Sequence, residues 1–234
     1  IFSILVLSIL NYSYGSYKIK NDHSIANKNL DYLIKIVSPK IKIDTSFESQ
    51  DPIKLIKELI DLSSPNEFEN TIFIFPEGVF SSVYLEDLHQ YSHLFSQNFS
   101  DKHRIILGIS RSENFKVYNS LVVIDKDANI LTRYDKNKLV PFGEFLPYEN
   151  FLEKLGLKKI TQGYGSFSKG NERQIIEMNN INLLPLICYE IIYSGKLNFS
   201  KIDYDLILNI SEDGWFGDSI GPYQHFSHLI FRSI

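Results

Sequence analysis

The chain has 234 residues, of which 44% are hydrophobic and 22% are charged, values typical of a globular domain. Its net charge of −4 excludes the strongly basic surface typical of nucleic-acid-binding proteins, so no nucleic-acid partner is expected. Because Cys188 is the single cysteine, an intramolecular disulfide bond is also excluded.

The first ten residues, IFSILVLSIL, carry no charge. A transmembrane helix needs about 20 apolar residues, so we interpret residues 1–15 as the end of a longer transmembrane helix. The core of a signal peptide and a buried first strand or helix are the alternatives. Residues 16–32 are polar and rich in Lys and Asn, which predicts a linker, and residues 33–234 are assigned to one domain.

Apolar periodicity predicts a helix over residues 53–62, and residues 84–95 also favour a helix. Short apolar or β-rich runs predict strands over residues 71–75, 104–109, 120–124, 182–187 and 205–210. Strands that alternate with helices indicate an α/β fold.

Three of these predicted strands are followed by reactive side chains, namely Glu77, Cys188 and Asp213. Ligand sites of α/β sheets lie beyond the carboxyl ends of the strands, so the three residues are candidates for one shared site. The alternative is that each strand merely carries polar residues where it reaches the surface.

Residues 134–148, YDKNKLVPFGEFLPY, place four aromatic rings around a Pro-Phe-Gly-Glu turn. We expect this segment to be an exposed loop. Exposed apolar patches mark binding surfaces, so the rings predict a pocket or a membrane-facing surface. The rings belong to Tyr134, Phe142, Phe145 and Tyr148.

The chain resembles the carbon–nitrogen hydrolase (nitrilase-like) superfamily, whose catalytic set is Glu, Lys and Cys in that order. The matching positions are Glu77 in FPEGVF, Lys136 in YDKNK and Cys188 in LICYE. A narrower resemblance is to apolipoprotein N-acyltransferases, whose signatures are similar to KLVPFGEFLPY (138–148), GSFSKG (165–170), ICYE (187–190) and WFGDSIGPYQHF (215–226). Lys138 and Glu212 stand where relatives often carry His and Asn.

This resemblance implies a four-layer α-β-β-α sandwich on the periplasmic side of the bacterial inner (cytoplasmic) membrane. It implies transmembrane helices before the domain and further strands and a helix after residue 234, so we expect the sandwich to be truncated here and this piece alone to be unstable. The implied acyl donor is a phospholipid, and the implied acceptor is the N-terminal amine of a diacylglyceryl-modified apolipoprotein. No cofactor is implied.

The implied chemistry passes through a thioester on Cys188. Glu77 takes the thiol proton and later that of the amine, while Lys136 and the backbone N–H of Tyr189 stabilise the oxyanion. Glu190, in the ICYE signature, is expected to support the nucleophile. Glu144 either joins the site, orienting Lys136 or the amine, or only hydrogen-bonds the Pro-Phe-Gly turn.

Aromatic residues are candidates for an acyl pocket or lid, with packing in the core as the alternative: Phe142, Phe145, Trp215 and Phe216. Residues 142–157, including Phe151, predict an amphipathic lid over the site, or a segment that packs on the sandwich.

The six histidines do not have the spacing of a zinc site, so no metal is expected. We interpret His89, His93 and His103 as surface residues and His225 as a packing residue.

Two other functions are compatible with parts of the sequence. A soluble nitrilase-like amidase uses the same three catalytic residues. The other alternative is a membrane-tethered binding domain that has retained the fold but has no enzymatic activity.

Overall fold

The computed structural model describes residues 2–21, 31–39, 51–148, 166–178, 180–193 and 203–233. The chain divides into an N-terminal unit, which ends at Asp31, and a second unit, Tyr32–Ser233. The sequence places the start of the domain at residue 33, next to this boundary.

The N-terminal unit contains helix α1 (Phe2–Asn21). Its apolar side chains are exposed, Phe2 to 82% and Leu7 to 66%. The helix continues beyond residue 15, where the sequence predicted the linker to begin, because no proline interrupts it. In the part of the chain that the structure describes, no helix is both long enough and apolar enough to cross a membrane.

The second unit contains a six-stranded mixed sheet with the strand order β1-β2-β4-β5-β6, and β3 pairs with β4. β1, β2 and β4 are parallel, while β4, β5 and β6 form an antiparallel meander. The strands are β1 (Leu33–Ile36), β2 (Thr71–Ile74), β3 (Phe80–Tyr84), β4 (His103–Glu113), β5 (Lys116–Ile124) and β6 (Ile130–Asp135).

A second sheet has three strands, β7 (Ile176–Met178), β8 (Ile181–Ile187) and β9 (Leu206–Ile210). β8 pairs antiparallel with β7 and parallel with β9. β8 is almost completely buried, which explains its nearly uninterrupted apolar sequence.

Among the described residues of this unit, the α-helices are α2 (Pro52–Ser63), α3 (Ser92–Ser96) and α4 (Gly221–Arg232). α2 begins where the Asp51 carboxylate accepts a 3.0 Å hydrogen bond from the Ile53 N–H. The helix predicted over 84–95 is instead a 3-10 helix (Leu85–Tyr91) followed by α3.

Two apolar clusters hold the second unit together. In one, α2 and the segment 85–99 pack against the large sheet, and Leu59, Phe95 and Phe73 all belong to this cluster. The other joins the two sheets and includes Ile106 and Leu183. Helices and strands therefore stack in layers, as the α/β prediction requires.

The sequence-based interpretations of two individual side chains are also wrong. His103 is buried, not a surface residue, because its two ring nitrogens bond the Ser100 N–H and the Asn66 carbonyl. Tyr134 is also buried, because it lies on β6 and faces the second sheet.

Candidate active site

Glu77 lies three residues after β2 and is nearly buried, at 9% exposure. Glycine at position 108 on the neighbouring β4 leaves room for Glu77. A Cβ at this position would lie only 2.5 Å from the Glu77 Cα, which is too close for any other residue. The Gly108 N–H also donates to the Pro76 carbonyl at 3.1 Å. Gly78 continues the turn at φ +59°, a conformation that glycine adopts without strain.

Lys136 immediately follows β6, and its side chain is buried. Its ammonium nitrogen lies 2.8 Å from Glu144 Oε1 and 3.5 Å from Glu77 Oε1. The Asn119 side-chain amide on β5 donates to the same two oxygens, at 2.8 Å to Glu77 and 3.1 Å to Glu144. A cation and an amide donor thus hold two carboxylates together.

Glu144 was expected either to join the site or to hydrogen-bond the Pro-Phe-Gly turn, and the structure contains one contact of each kind. Its Oε1 bonds Lys136, whereas its Oε2 accepts the Val140 N–H of the Pro-Phe-Gly-Glu turn at 2.9 Å. Glu144 therefore connects the turn to the buried lysine.

The segment 166–170 fixes the main chain around these groups. The Phe167 N–H donates to the Glu144 carbonyl at 2.8 Å, and the Gly170 N–H donates to the Lys136 carbonyl at 2.9 Å. Only glycine fits at 170, because a Cβ there would lie 2.2 Å from the Asp135 carbonyl oxygen.

The charges around Lys136 determine its protonation. Burial alone lowers the pKa of Lys136, but the carboxylates of Glu77 and Glu144 outweigh this effect and raise the pKa above its ordinary value. Lys136 is therefore a permanent cation in the site and does not serve as a base.

Cys188 is the first residue after β8 and has φ +51°. A positive φ is uncommon for a residue with a side chain, and such backbone strain is concentrated at functional sites. The thiol lies close enough to Glu77, Lys136 and Ser211 for each of them to change its pKa. The reactive side chains that follow β2 and β8 therefore meet, as the sequence analysis expected.

The Cys188 thiol is neutral at rest. Burial and the charge of Glu77 raise its pKa, and Lys136 compensates only in part. Attack by this sulfur therefore requires a base within reach, and Glu77 lies close enough to the thiol to raise its pKa.

Glu190 is fully buried beneath the nucleophile. It accepts the Ile187 N–H at 3.0 Å, pairs with Arg173 at 2.9 Å and accepts the Tyr134 hydroxyl at 2.7 Å. The Lys138 N–H also donates to it, at 2.9 Å. Glu190 thus ties the turn after β8 to the turn after β6.

The end of β9 completes the site through its main chain. The Glu212 N–H donates to Glu77 Oε2 at 3.1 Å. Lys138 and Glu212, where relatives often carry His and Asn, both make these contacts through backbone N–H groups, which any side chain except that of proline leaves in place. The Asp213 carboxylate bonds Ser211 and His225 rather than Glu77 or Lys136.

The predicted pocket aromatics differ in exposure. Phe142 and Trp215 are exposed, to 45% and 50%, while Phe145 and Phe216 are half-buried. Tyr189 stacks its ring on His225. Phe151 and the rest of the predicted lid after residue 148 lie outside the described residues.

Three residues that shape the site were not predicted from the sequence, namely Asn119, Ser211 and Gly108. Asn119 had a detectable signal, because it is an amide at the edge of an apolar strand run, SLVVI. Gly108 interrupts the run RIILGI in the same way. In the described part of the chain, no group of three His, Cys, Asp or Glu side chains is arranged to hold a metal ion.

Comparison with known proteins identifies a family. Residues 67–234 match the family model for carbon–nitrogen hydrolases. Among solved structures, a CN-hydrolase superfamily protein from Xanthomonas campestris with an arsenic adduct in its active site is similar, with a TM-score of 0.52 at 17% identity over 79% of this chain and 66% of that one.

Curated relatives are apolipoprotein N-acyltransferases. The Bradyrhizobium diazoefficiens protein is 33% identical over 86% of this chain and 40% of its own length. The Rhodopseudomonas palustris protein is 47% identical over 51% of this chain and 22% of its own length. The Brucella suis protein is 28% identical over 98% of this chain and 45% of its own length, so the chain spans less than half of these relatives.

Proposed function

The chain belongs to the carbon–nitrogen hydrolase family, and from this premise we propose that it is the catalytic part of an apolipoprotein N-acyltransferase. The observation that carries the proposal is the convergence of Glu77 and Lys136 with the strained nucleophile Cys188. The similarity to curated N-acyltransferases selects acyl transfer to an amine over hydrolysis.

In the first half-reaction, the Cys188 sulfur attacks the ester carbonyl of a phospholipid while the thiol proton passes to Glu77. The C–S bond forms, and the carbonyl oxygen becomes an oxyanion, which Lys136 and the Tyr189 N–H stabilise. When the C–O bond breaks, Glu77 returns the proton to the leaving alkoxide. A lysophospholipid departs, and the acyl chain remains on sulfur as a thioester.

In the second half-reaction, the α-amine of a diacylglyceryl-cysteine attacks the thioester. The C–N bond forms, the C–S bond breaks and Glu77 accepts the amine proton, which then passes to the Cys188 thiolate. Glu144 is bonded to Lys136 at 2.8 Å and keeps the lysine in place. Its carboxylate shares the Asn119 donor with Glu77, so it lies close enough to Glu77 to orient the incoming amine.

We place this reaction at the bacterial inner membrane, on the periplasmic side, because both substrates are lipids. The exposed apolar side chains of α1 suit contact with a lipid phase or with transmembrane helices. We also propose that helices cover the outer face of the second sheet, which would complete the four-layer sandwich. Phe142, Phe145, Trp215 and Phe216 are proposed to contact the acyl chain.

The test is acyl transfer by the whole protein in detergent micelles. Phosphatidylethanolamine and a peptide with an N-terminal diacylglyceryl-cysteine are supplied, and the products are weighed by mass spectrometry. We expect one acyl mass on the peptide amine and one lysophospholipid, and neither with Cys188→Ala. Release of free fatty acid with an unmodified peptide would instead identify a hydrolase.

A further inference from the structure

His225 on α4 contacts the main chain of the nucleophile residue. Its Nε2 lies 3.0 Å from the Cys188 carbonyl oxygen, and its Nδ1 lies 2.8 Å from Asp213 Oδ1. The ring is buried, at 5% exposure, and contacts the rings of Tyr189 and Phe216. These contacts fix both the position and the orientation of the imidazole.

Asp213 bonds two groups that lie beside Cys188. The Ser211 hydroxyl donates to Asp213 Oδ1 and lies close enough to the Cys188 thiol to affect its pKa. Asp213 is therefore linked to the surroundings of the sulfur through Ser211 and to the Cys188 carbonyl through His225. The proposed acyl transfer does not use either link.

The positive φ of Cys188 explains why contacts are needed to hold the backbone at this residue. With φ +51°, Cys188 occupies a conformation that is unfavourable for a residue with a side chain. Such strain persists only where surrounding contacts hold it. The Cys188 carbonyl is the group through which a donor opposes relaxation, and His225 is in contact with it.

α4 holds the rest of this turn as well. The Arg232 guanidinium, two helical turns after His225, donates to the carbonyls of Ile191 and Ile192 at 3.3 and 3.4 Å. The 3-10 helix that starts with Cys188 is thus bonded to α4 at both ends.

We propose that the Asp213–His225 pair is a positioning device that holds Cys188 in its strained conformation, so that the sulfur faces Glu77 and Lys136. His225 donates from Nε2 to the Cys188 carbonyl, and Asp213 fixes the ring through Nδ1. The device serves the thioester chemistry of the proposed function, but it requires only an acyl donor that reacts at Cys188.

Two amide variants separate this role from simple packing. Glutamine at position 225 places an N–H donor near the position of Nε2, where it reaches the Cys188 carbonyl. Asparagine places its amide near Nδ1, where it bonds Asp213 but does not reach the carbonyl. Both variants are neutral and polar, so they differ mainly in the contact that the proposal requires.

The experiment uses the whole protein and p-nitrophenyl acetate, which releases p-nitrophenolate as it acylates Cys188. We expect His225→Asn to lower the acylation rate constant about 10- to 100-fold, the cost of leaving one buried acceptor without its donor, while His225→Gln stays within roughly threefold of the wild type. Melting temperatures identify variants that are merely unfolded.

Equal acylation rates for the two folded variants would overturn the proposal. If His225→Asn does not fold, Asp213→Ala takes its place, because it removes the anchor and leaves the imidazole. A wild-type acylation rate in Asp213→Ala also overturns the proposal. The proposed N-acyltransferase function fails separately, if the wild-type protein is acylated by p-nitrophenyl acetate but not by phospholipid.

Discussion

The charges around Cys188 govern the protonation of its thiol. Lys136 is buried beside two carboxylates, those of Glu77 and Glu144. Burial of the thiol and the negative charge of Glu77 raise the Cys188 pKa, and Lys136 offsets this only in part. The thiol therefore loses its proton only as Glu77 accepts it.

Glu77→Gln is expected to lower the Cys188 pKa and to abolish thioester formation. The negative charge that raises the thiol pKa is removed, so the thiolate forms at lower pH than in the wild type. The base that collects the proton during attack on an ester is removed as well. The lower thiol pKa favours simple alkylation of Cys188, whereas the loss of the base prevents acyl transfer.

The measurement is the pH dependence of Cys188 alkylation by iodoacetamide, together with acylation by phospholipid. We expect the alkylation profile of Glu77→Gln to shift to lower pH while acylation falls at least about 100-fold, within the range for general-base catalysis. A shift to higher pH would contradict the electrostatic account, and retained acylation would exclude Glu77 as the base.

Asn119 is predicted to be needed for acylation although it is not one of the reactive residues. Its amide donates to both Glu77 and Glu144. Asn119→Leu keeps a similar volume but leaves both carboxylates without that donor, which costs about 1–3 kcal/mol for a buried acceptor. We expect acylation of Cys188 to fall by about tenfold or more; a wild-type rate in the folded variant would show that Lys136 alone positions the carboxylates.

Strand β4 controls the position of Glu77 through Gly108. Because a Cβ at 108 would lie 2.5 Å from the Glu77 Cα, Gly108→Ala must displace the turn after β2. A displacement of about 1 Å in a catalytic group is enough to cost about 100-fold in rate. We therefore expect acylation to be lost while most of the fold is retained.

Gly143→Ala is the matched control, since its added Cβ would lie 3.4 Å from Val140, an ordinary van der Waals contact. Acylation rates and thermal unfolding of the two variants are compared. Equal activity of the two folded variants would contradict the geometry at Gly108.

The turn at residues 141–145 is the described part of the predicted lid. Its main chain is closed by the Phe142 N–H, which donates to the Phe145 carbonyl at 2.8 Å, while the Phe142 ring is exposed. Burying a Phe side chain against lipid is worth about 1.5–3 kcal/mol. Phe142→Ser is therefore expected to raise the phospholipid concentration needed for half-maximal Cys188 acylation by about tenfold, with unchanged stability.

Phe68→Ser is the control for this prediction. Phe68 is 76% exposed and precedes β2, whereas Glu77 follows that strand. Acylation is measured against phospholipid concentration in mixed micelles. If both variants behave like the wild type, the ring of Phe142 does not contact the donor.

The sequence predicted well the elements whose buried residues follow a regular pattern along the chain, either at helical spacing or as a continuous run. α2 and β8 carry uninterrupted apolar patterns and were placed to within one residue. β6 and β7 escaped prediction because β6 is largely exposed and β7 has three residues. The ring of Tyr134 was assigned to a loop for the same reason, since it lies at the end of an unrecognised strand.

At the scale of the molecule, Glu77 and Cys188 became candidates before any family resemblance was considered, because ligand sites of α/β sheets lie beyond the carboxyl ends of the strands. It could not distinguish Asp213, whose carboxylate bonds His225, because that depends on how α4 packs against the turn after β8. Lys136 required the family resemblance, since it follows a strand with an exposed sequence. Contacts between distant segments, such as Asn119 with Glu77, have no local sequence signature.

Cys188 is proposed to carry the acyl group between donor and acceptor, and the mass of the protein after incubation with phospholipid alone tests this role directly. We expect one added acyl mass on the Cys188 peptide, removed by hydroxylamine as expected for a thioester, and none with Cys188→Ala. Acyl mass on another residue, or acyl mass retained in Cys188→Ala, would contradict it.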